Sequence, residues 1–131
     1  MTADRERHEA RLVELISPDL TNHYGTLFGG HALGLMDKAG FIAATRYSRK
    51  PMDTVASDRV EFKVPVRAGQ LVELVARVER VGRTSVTVKV DMFVEDLLTD
   101  QRQLATTGNF VFVAVDEEGR ATPVRREGAS G

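Results

Sequence analysis

One carboxylate in this chain of 131 residues stands where a carboxylate is costly. Asp37 lies in the run from Asn22 to Arg46, N-H-Y-G-T-L-F-G-G-H-A-L-G-L-M-D-K-A-G-F-I-A-A-T-R. At about 100° per residue it shares a helical face with Leu33, Phe41 and Ala44, with Met36, Gly40 and Tyr47 beside them. Among alkyl side chains an ionised acid must be hydrogen-bonded, neutralised or turned to a polar cavity. It is therefore either a paired structural group or an acid with acid–base or nucleophilic work to do. Gly25, Gly29 and Gly30 precede it in a loop from Thr21 to Gly30. Glycines there let backbone N–H groups approach a ligand and admit positive φ, although a plain turn has the same use for them. His23 and His31 flank this loop, whereas His8 lies in a polar, solvated end. Three dispersed histidines and no cysteine offer no metal-ligand spacing, so no metal site is expected.

A second constellation, Gly82-Arg83-Thr84-Ser85, combines backbone N–H groups, two hydroxyls and a guanidinium, which suits phosphate oxygens. Its alternative is an ordinary hairpin turn. Arg59 and Lys63 could also reach a phosphate, or be solvated strand charges.

The elements that must position these groups follow from periodicity. A short strand is expected from Arg11 to Ile16, stopped by Ser17-Pro18-Asp19, and a long helix apolar over most of its circumference from near Gly29 to Arg49-Lys50-Pro51. The period then changes from 3.6 to 2. Val60, Phe62, Val64 and Val66 alternate with Arg59, Glu61, Lys63 and Pro65, and Ala68-Gly69 turns the chain. Val72, Leu74, Ala76 and Val78 pair through the Gly82-Arg83 turn with Val86, Val88, Val90 and Met92. Gln103 to Val115 is a last strand, dense enough in Phe and Val to be buried on both faces, and Asp116-Glu117-Glu118-Gly119 closes it. The expectation is an α+β domain, a five-stranded antiparallel sheet curling around the one available helix. A polar N-terminus (1–9) and a C-terminal tail (119–131) flank it as flexible segments.

The chain is long enough for one domain. A net charge of −1 with a pI near 6.3 leaves no basic field for nucleic acid or an anionic membrane surface. The absence of cysteine, of a secretory signal and of an apolar run long enough to span a membrane points to a cytoplasmic protein.

The pattern N-x-x-G-x-x-F-G-G-x-x-L-x-x-M-D-x-x-G, from Asn22 to Gly40, resembles the hotdog-fold acyl-CoA thioesterases, above all the YciA-like and cytosolic BACH-type hydrolases. Further matching runs are S-D-R-V-E-F-K-V-P-V (57–66), A-G-Q-L-V (68–72), V-G-R-T-S-V (81–86) and F-V-F-V-A-V-D (110–116), so the resemblance covers about residues 10–118. It implies a hotdog domain paired into a dimer with one continuous ten-stranded sheet, in many members a trimer of dimers, hydrolysing acyl-CoA without a metal or other cofactor. By position, Asp37 matches the catalytic carboxylate, Asn22 its partner asparagine, and Gly29 and Gly30 the helix start facing the thioester carbonyl. Coenzyme A then enters as part of the substrate, with Gly82, Arg83, Thr84, Ser85 and Arg59 as candidates to hold it.

A thioester needs a positioned water or nucleophile, a stabilised oxyanion and a dry channel. Asp37 is expected as general base, with a nucleophilic role as the alternative, while Asn22 orients the water or carbonyl and the helix start stabilises the oxyanion. Asp37 lies eight residues beyond Gly29, about 12 Å along the axis, so one chain does not easily bring both to one carbonyl. Two antiparallel helices at a two-fold interface would, with Asn22 and Gly29 from one subunit and Asp37 from the other. The alternatives are a non-catalytic acyl-CoA-binding hotdog regulator, or a hydrolase of acyl-carrier-protein or aryl-CoA thioesters. His23 and His31 add hydration chemistry, since hotdog dehydratases join a loop histidine to a helix acid.

Overall fold

The computed structural model describes residues 8–124. They form β1 (Glu9–Leu15), a short 3-10 turn (Pro18–Leu20), α1 (Gly29–Ser48), β2 (Met52–Phe62), β3 (Leu71–Val81), β4 (Ser85–Glu95) and β5 (Arg102–Ala114). The strands make one sheet in the order β1-β3-β4-β5-β2, with every neighbouring pair antiparallel. This is the expected sheet around one helix, with β1 and β2 as its edges.

The long strands fall where period-2 alternation puts them, because one face is buried under α1. Leu74, Val88, Val90, Met92 and Phe112 are wholly inaccessible. The last strand departs from expectation. Phe110, Phe112 and Ala114 are buried, while Val111 and Val113 between them are only half-buried, so it has one core face rather than two.

The face that α1 buries also differs from the expected one. Its buried residues are Ala32, Met36, Ala39, Gly40, Ala43, Ala44 and Ser48; Leu33 and Asp37 lie on the flank and Phe41 is 41% exposed. Size decides this. A Cβ on Gly40 would stand 3.0 Å from the Phe112 ring and 3.4 Å from Val90, so a stripe of small residues lets the sheet wrap tightly, and larger apolar groups are turned to the side. The helix ends on Arg49 in the left-handed region (φ 57°), whose N–H donates to the Thr45 carbonyl, with Pro51 just beyond.

The strand expected to run through Val66 instead starts at Met52, directly after Pro51, and stops at Phe62. Lys63 and Val64 both donate their N–H to the Ala105 carbonyl, and Leu27 donates to that of Val66, so residues 63–66 form a wall of the glycine loop. Pro65 has no N–H to give a ladder. Two register shifts interrupt β2, between Thr54 and Ala56 and between Asp58 and Glu61, with Arg59 at φ 55° in the second. Each adds a residue to β2 without advancing β5. Thr54 and Ser57 therefore oppose the buried Phe112 and Phe110, and the second shift returns Val60 and Phe62 to the inner side. The two shifts cancel, which is why the even-numbered alternation holds at both ends of the strand.

The expected C-terminal tail divides. From 119 to 124 the chain is tied back to the domain although most of it is exposed: Val115 bridges to Ala121, Val124 is 1% exposed, and its N–H donates 2.9 Å to the Arg83 carbonyl. Residues 125–131, and residues 1–7 of the expected loose N-terminus, lie outside the described residues. No described helix is long and apolar enough to cross a membrane.

Candidate active site

Asp37 sits mid-helix on the flank of α1 facing β2, half-buried. The Thr54 hydroxyl, on the inner side of that edge strand, donates a 2.7 Å hydrogen bond to its Oδ1. No ion pair to Asp37 occurs among the described residues. A carboxylate held by one neutral donor keeps acceptor capacity for a water or a substrate. Thr54 is a neighbour of Asp37 that the sequence did not single out. It lies in D-T-V-A-S-D, whose polar composition gives no strand signal because β2 is an exposed edge.

Asn22 and the glycines belong to the loop that leads into the start of α1. The Asn22 side-chain carbonyl accepts from the Tyr24 N–H (2.9 Å), the Thr26 N–H (3.2 Å) and the Thr26 hydroxyl (3.1 Å). Its backbone N–H donates to Thr26 and its backbone carbonyl accepts from Gly25, which stands at φ 81°. The oxygen of Asn22 is thus committed to the loop, leaving the side-chain NH2 as the group for a substrate or water. The loop delivers the chain to Gly29, where α1 begins without a side-chain cap, so first-turn N–H groups and the positive end of the helix dipole face outward. A Cβ at Gly30 would meet nothing within 4 Å, and one at Gly29 only the Phe62 ring at 3.7 Å. Crowding within this chain does not explain either glycine.

Gly29 also lines an open cleft of about 370 Å³, whose other walls include Leu27, Ala32, Phe62, Val64 and Val66. The cleft and Asp37 sit at different points along one helix, eight residues apart, or about 12 Å.

The Gly82 to Ser85 turn lies elsewhere in the chain. Ser85 opposes Val113, next to Ala114, which pairs with Met52 beside Ser48 at the C-terminal end of α1. A helix of 20 residues separates that end from Gly29 by about 30 Å. The turn is tight: Gly82 donates to the Ser85 carbonyl at 2.8 Å, and a Cβ on Gly82 would stand 2.8 Å from the Ser85 hydroxyl. One of its N–H groups is therefore already used, and the Arg83 and Thr84 carbonyls hold Val124 and Ala114. Arg59 projects from the β2 shift with its side chain 80% exposed, 3.9 Å from Asp58.

The histidines do not join the acid. His31 packs edge-on against Phe28 at 5.8 Å and His23 against Tyr24 at 4.0 Å. The Ser17 hydroxyl holds the Asp19 carboxyl below the usual carboxylate range, and the charge of His31 adds to the effect. Among the described residues no group of three or more His, Asp or Glu side chains could hold a metal ion.

A family model described as thioesterase superfamily matches residues 24–100. The uncharacterized acyl-CoA thioester hydrolase YkhA of Bacillus subtilis is 38% identical over 106 residues, 81% of this chain and 62% of YkhA, so the chain spans less than two thirds of that relative's length. The acyl-CoA thioester hydrolase YciA of Escherichia coli is 36% identical over 115 residues, 84% of this chain and 87% of YciA. The crystal structure of HI0827, a hexameric broad-specificity acyl-coenzyme A thioesterase with an aspartate replaced by alanine, is similar with a TM-score of 0.85. It is 33% identical, over 88% of this chain and 86% of its own.

Proposed function

Because the chain belongs to the thioesterase superfamily, we propose that it hydrolyses acyl-CoA thioesters to the free acid and coenzyme A, with Asp37 as general base. The observation that carries this reading is the Thr54 hydroxyl bound to one oxygen of a helix carboxylate that has no ion pair among the described residues. Asp37 takes a proton from water as the oxygen attacks the carbonyl. N–H groups at Gly29 and Gly30 stabilise the oxyanion, and collapse of the adduct expels the thiolate, which recovers the proton. The names of the relatives support the substrate class.

In this reading the site is shared between two subunits. The edge strand β2 has one sheet neighbour, β5, and its other side is open to a second β2 across a two-fold axis. With the two α1 helices antiparallel and crossing near Leu33, the Asp37 of one subunit meets the Gly29 and Asn22 of its partner. The same crossing carries the C-terminal end of one helix, with its Gly82 to Ser85 turn, toward the partner's glycine loop, where coenzyme A phosphates would lie, whereas Arg59, three residues before Phe62, lies toward the Gly29 end of its own chain. The hexameric relative supports self-association beyond the dimer, for which a trimer of dimers is our reading. The activity belongs in the cytoplasm, where acyl-CoA is met and a chain without cysteine needs no oxidising compartment.

The test is release of free thiol from a panel of acyl-CoAs. Wild-type protein should turn over, and Asp37→Ala should lose about 10²–10⁴-fold in kcat. Acyl-CoA binding without turnover by the wild type would favour a regulator instead, and full turnover by Asp37→Ala would remove the acid from the mechanism.

A further inference from the structure

The strap that follows β5 carries an inference about which thioesters are accepted, resting on the hydrolase reading above. Thr122 donates its N–H to the Ala114 carbonyl at 2.8 Å and Val124 to the Arg83 carbonyl at 2.9 Å, while the Thr84 carbonyl holds the Ala114 N–H at 2.9 Å. One buried valine offsets only part of the conformational entropy lost in ordering the residues that lead to it. The larger effect of the strap is positional: it ends on the turn to which that reading assigns coenzyme A phosphates.

Cations gather at this end. Lys50, just past α1, donates from Nζ to the Pro123 carbonyl. That carbonyl and the N–H bound to Arg83 belong to one peptide unit, so Lys50 Nζ and the Arg83 backbone are a planar peptide and two hydrogen bonds apart. The Arg83 side chain is exposed, and neither residue has an ion pair among the described residues. The Lys50 ammonium keeps two further donors. The sequence continues from Val124 with Arg125 and Arg126, ahead of a single acid, Glu127. Covalent spacing alone sets these two arginines within about 3.8 Å and 7.6 Å of Val124, Cα to Cα.

Charge decides which phosphate suits such a place. The phosphates of a diphosphate linkage carry less charge per phosphorus, within the scope of the neutral N–H and hydroxyl donors of the turn. A terminal monoester carries about −1.5 to −2 at neutral pH and calls for several cations together. We propose that the Pro123–Val124 strap completes a seat for the 3′-phosphate monoester of coenzyme A, with Lys50 and Arg83 as its cations and Arg125 and Arg126 adding to them from the tail. A thioester on pantetheine alone, or on the phosphopantetheine arm of a carrier protein, has no such group, so the strap selects coenzyme A.

The test is kcat/KM by thiol release, at low salt, from butanoyl-CoA and from butanoyl-dephospho-CoA, which lacks only the 3′-phosphate. Wild type should favour the first at least about tenfold, the worth of one charge-assisted hydrogen bond. Lys50→Met, and separately Arg125→Ala with Arg126→Ala in the full chain, should each bring that ratio below about threefold through KM, and Lys50→Arg should keep most of it. Calorimetric titration with adenosine 3′,5′-bisphosphate reads the same seat without turnover, and its Kd should rise in the two charge-removing variants. A wild type that turns over both thioesters equally, or variants that lower both in parallel, overturns the seat and leaves the hydrolase reading standing. A wild type that releases thiol from neither overturns the hydrolase reading, and the titration then judges the seat alone: binding weakened by the variants upholds it, and equal binding overturns it.

Discussion

Thr54 adds one neutral hydroxyl to the acid, and that single group separates Asp37 from an ordinary flank carboxylate. A hydrogen bond to a charged partner contributes about 1.5–3 kcal/mol. Thr54→Val, close to isosteric, should therefore lower kcat roughly 10–100-fold with KM nearly unchanged, and Thr54→Ser should restore most of it, both checked by steady-state kinetics. The same arithmetic assigns a different character to Asn22. Three donors converge on its oxygen, so part of its effect is structural, through the shape of the loop. Asp37 itself was legible in the sequence because a carboxylate within an apolar helical run is unusual. Its exact setting was not, since counting apolar positions at 3.6 per turn ignores size. The sheet lies against Ala and Gly, and the acid stands one step round the helix.

At the scale of elements, β2 meets β5 closely where Val60 faces Gly108. Gly108→Ala places a methyl 2.9 Å from Val60 Cγ2 and 3.4 Å from its Cα, without backbone strain of its own. It should cost about 1–3 kcal/mol in urea unfolding. Val60→Ala in the same chain should recover much of that, because the two side chains compete for one space. Strands β3 and β4 were legible in the sequence, since burial on one face sets the alternation of Val72, Leu74 and Ala76 and of Val88, Val90, Met92 and Val94; the register shift between Val78 and Arg80 was not. The first half of β2 was not: an edge strand exposed on most of its length has no reason to alternate. Its two compensating shifts are invisible in a sequence that keeps the same parity before and after them. The Gly82 to Ser85 hairpin was plain, but its distance from Gly29 in the same chain follows only from strand order.

The whole molecule carries the prediction that two defective chains can mend each other. Asp37→Ala leaves a chain with a sound glycine loop, and Asn22→Ala leaves one with a sound acid. In a mixed dimer, one site receives both good halves and the other receives neither. Refolding the two variants together in equal amounts should give about a quarter of wild-type turnover, because about half the dimers are mixed and each has one working site. A site built within one chain would show no gain over the separate variants. A different lesson comes from Val124. The last strand closes at Ala114, yet a valine ten residues later fills a place in the interior and its backbone latches onto Arg83. The chain is corked from behind. A boundary drawn where the sheet stops would cut off the stopper, and leave the Arg83 end of the β3–β4 hairpin without its fastening.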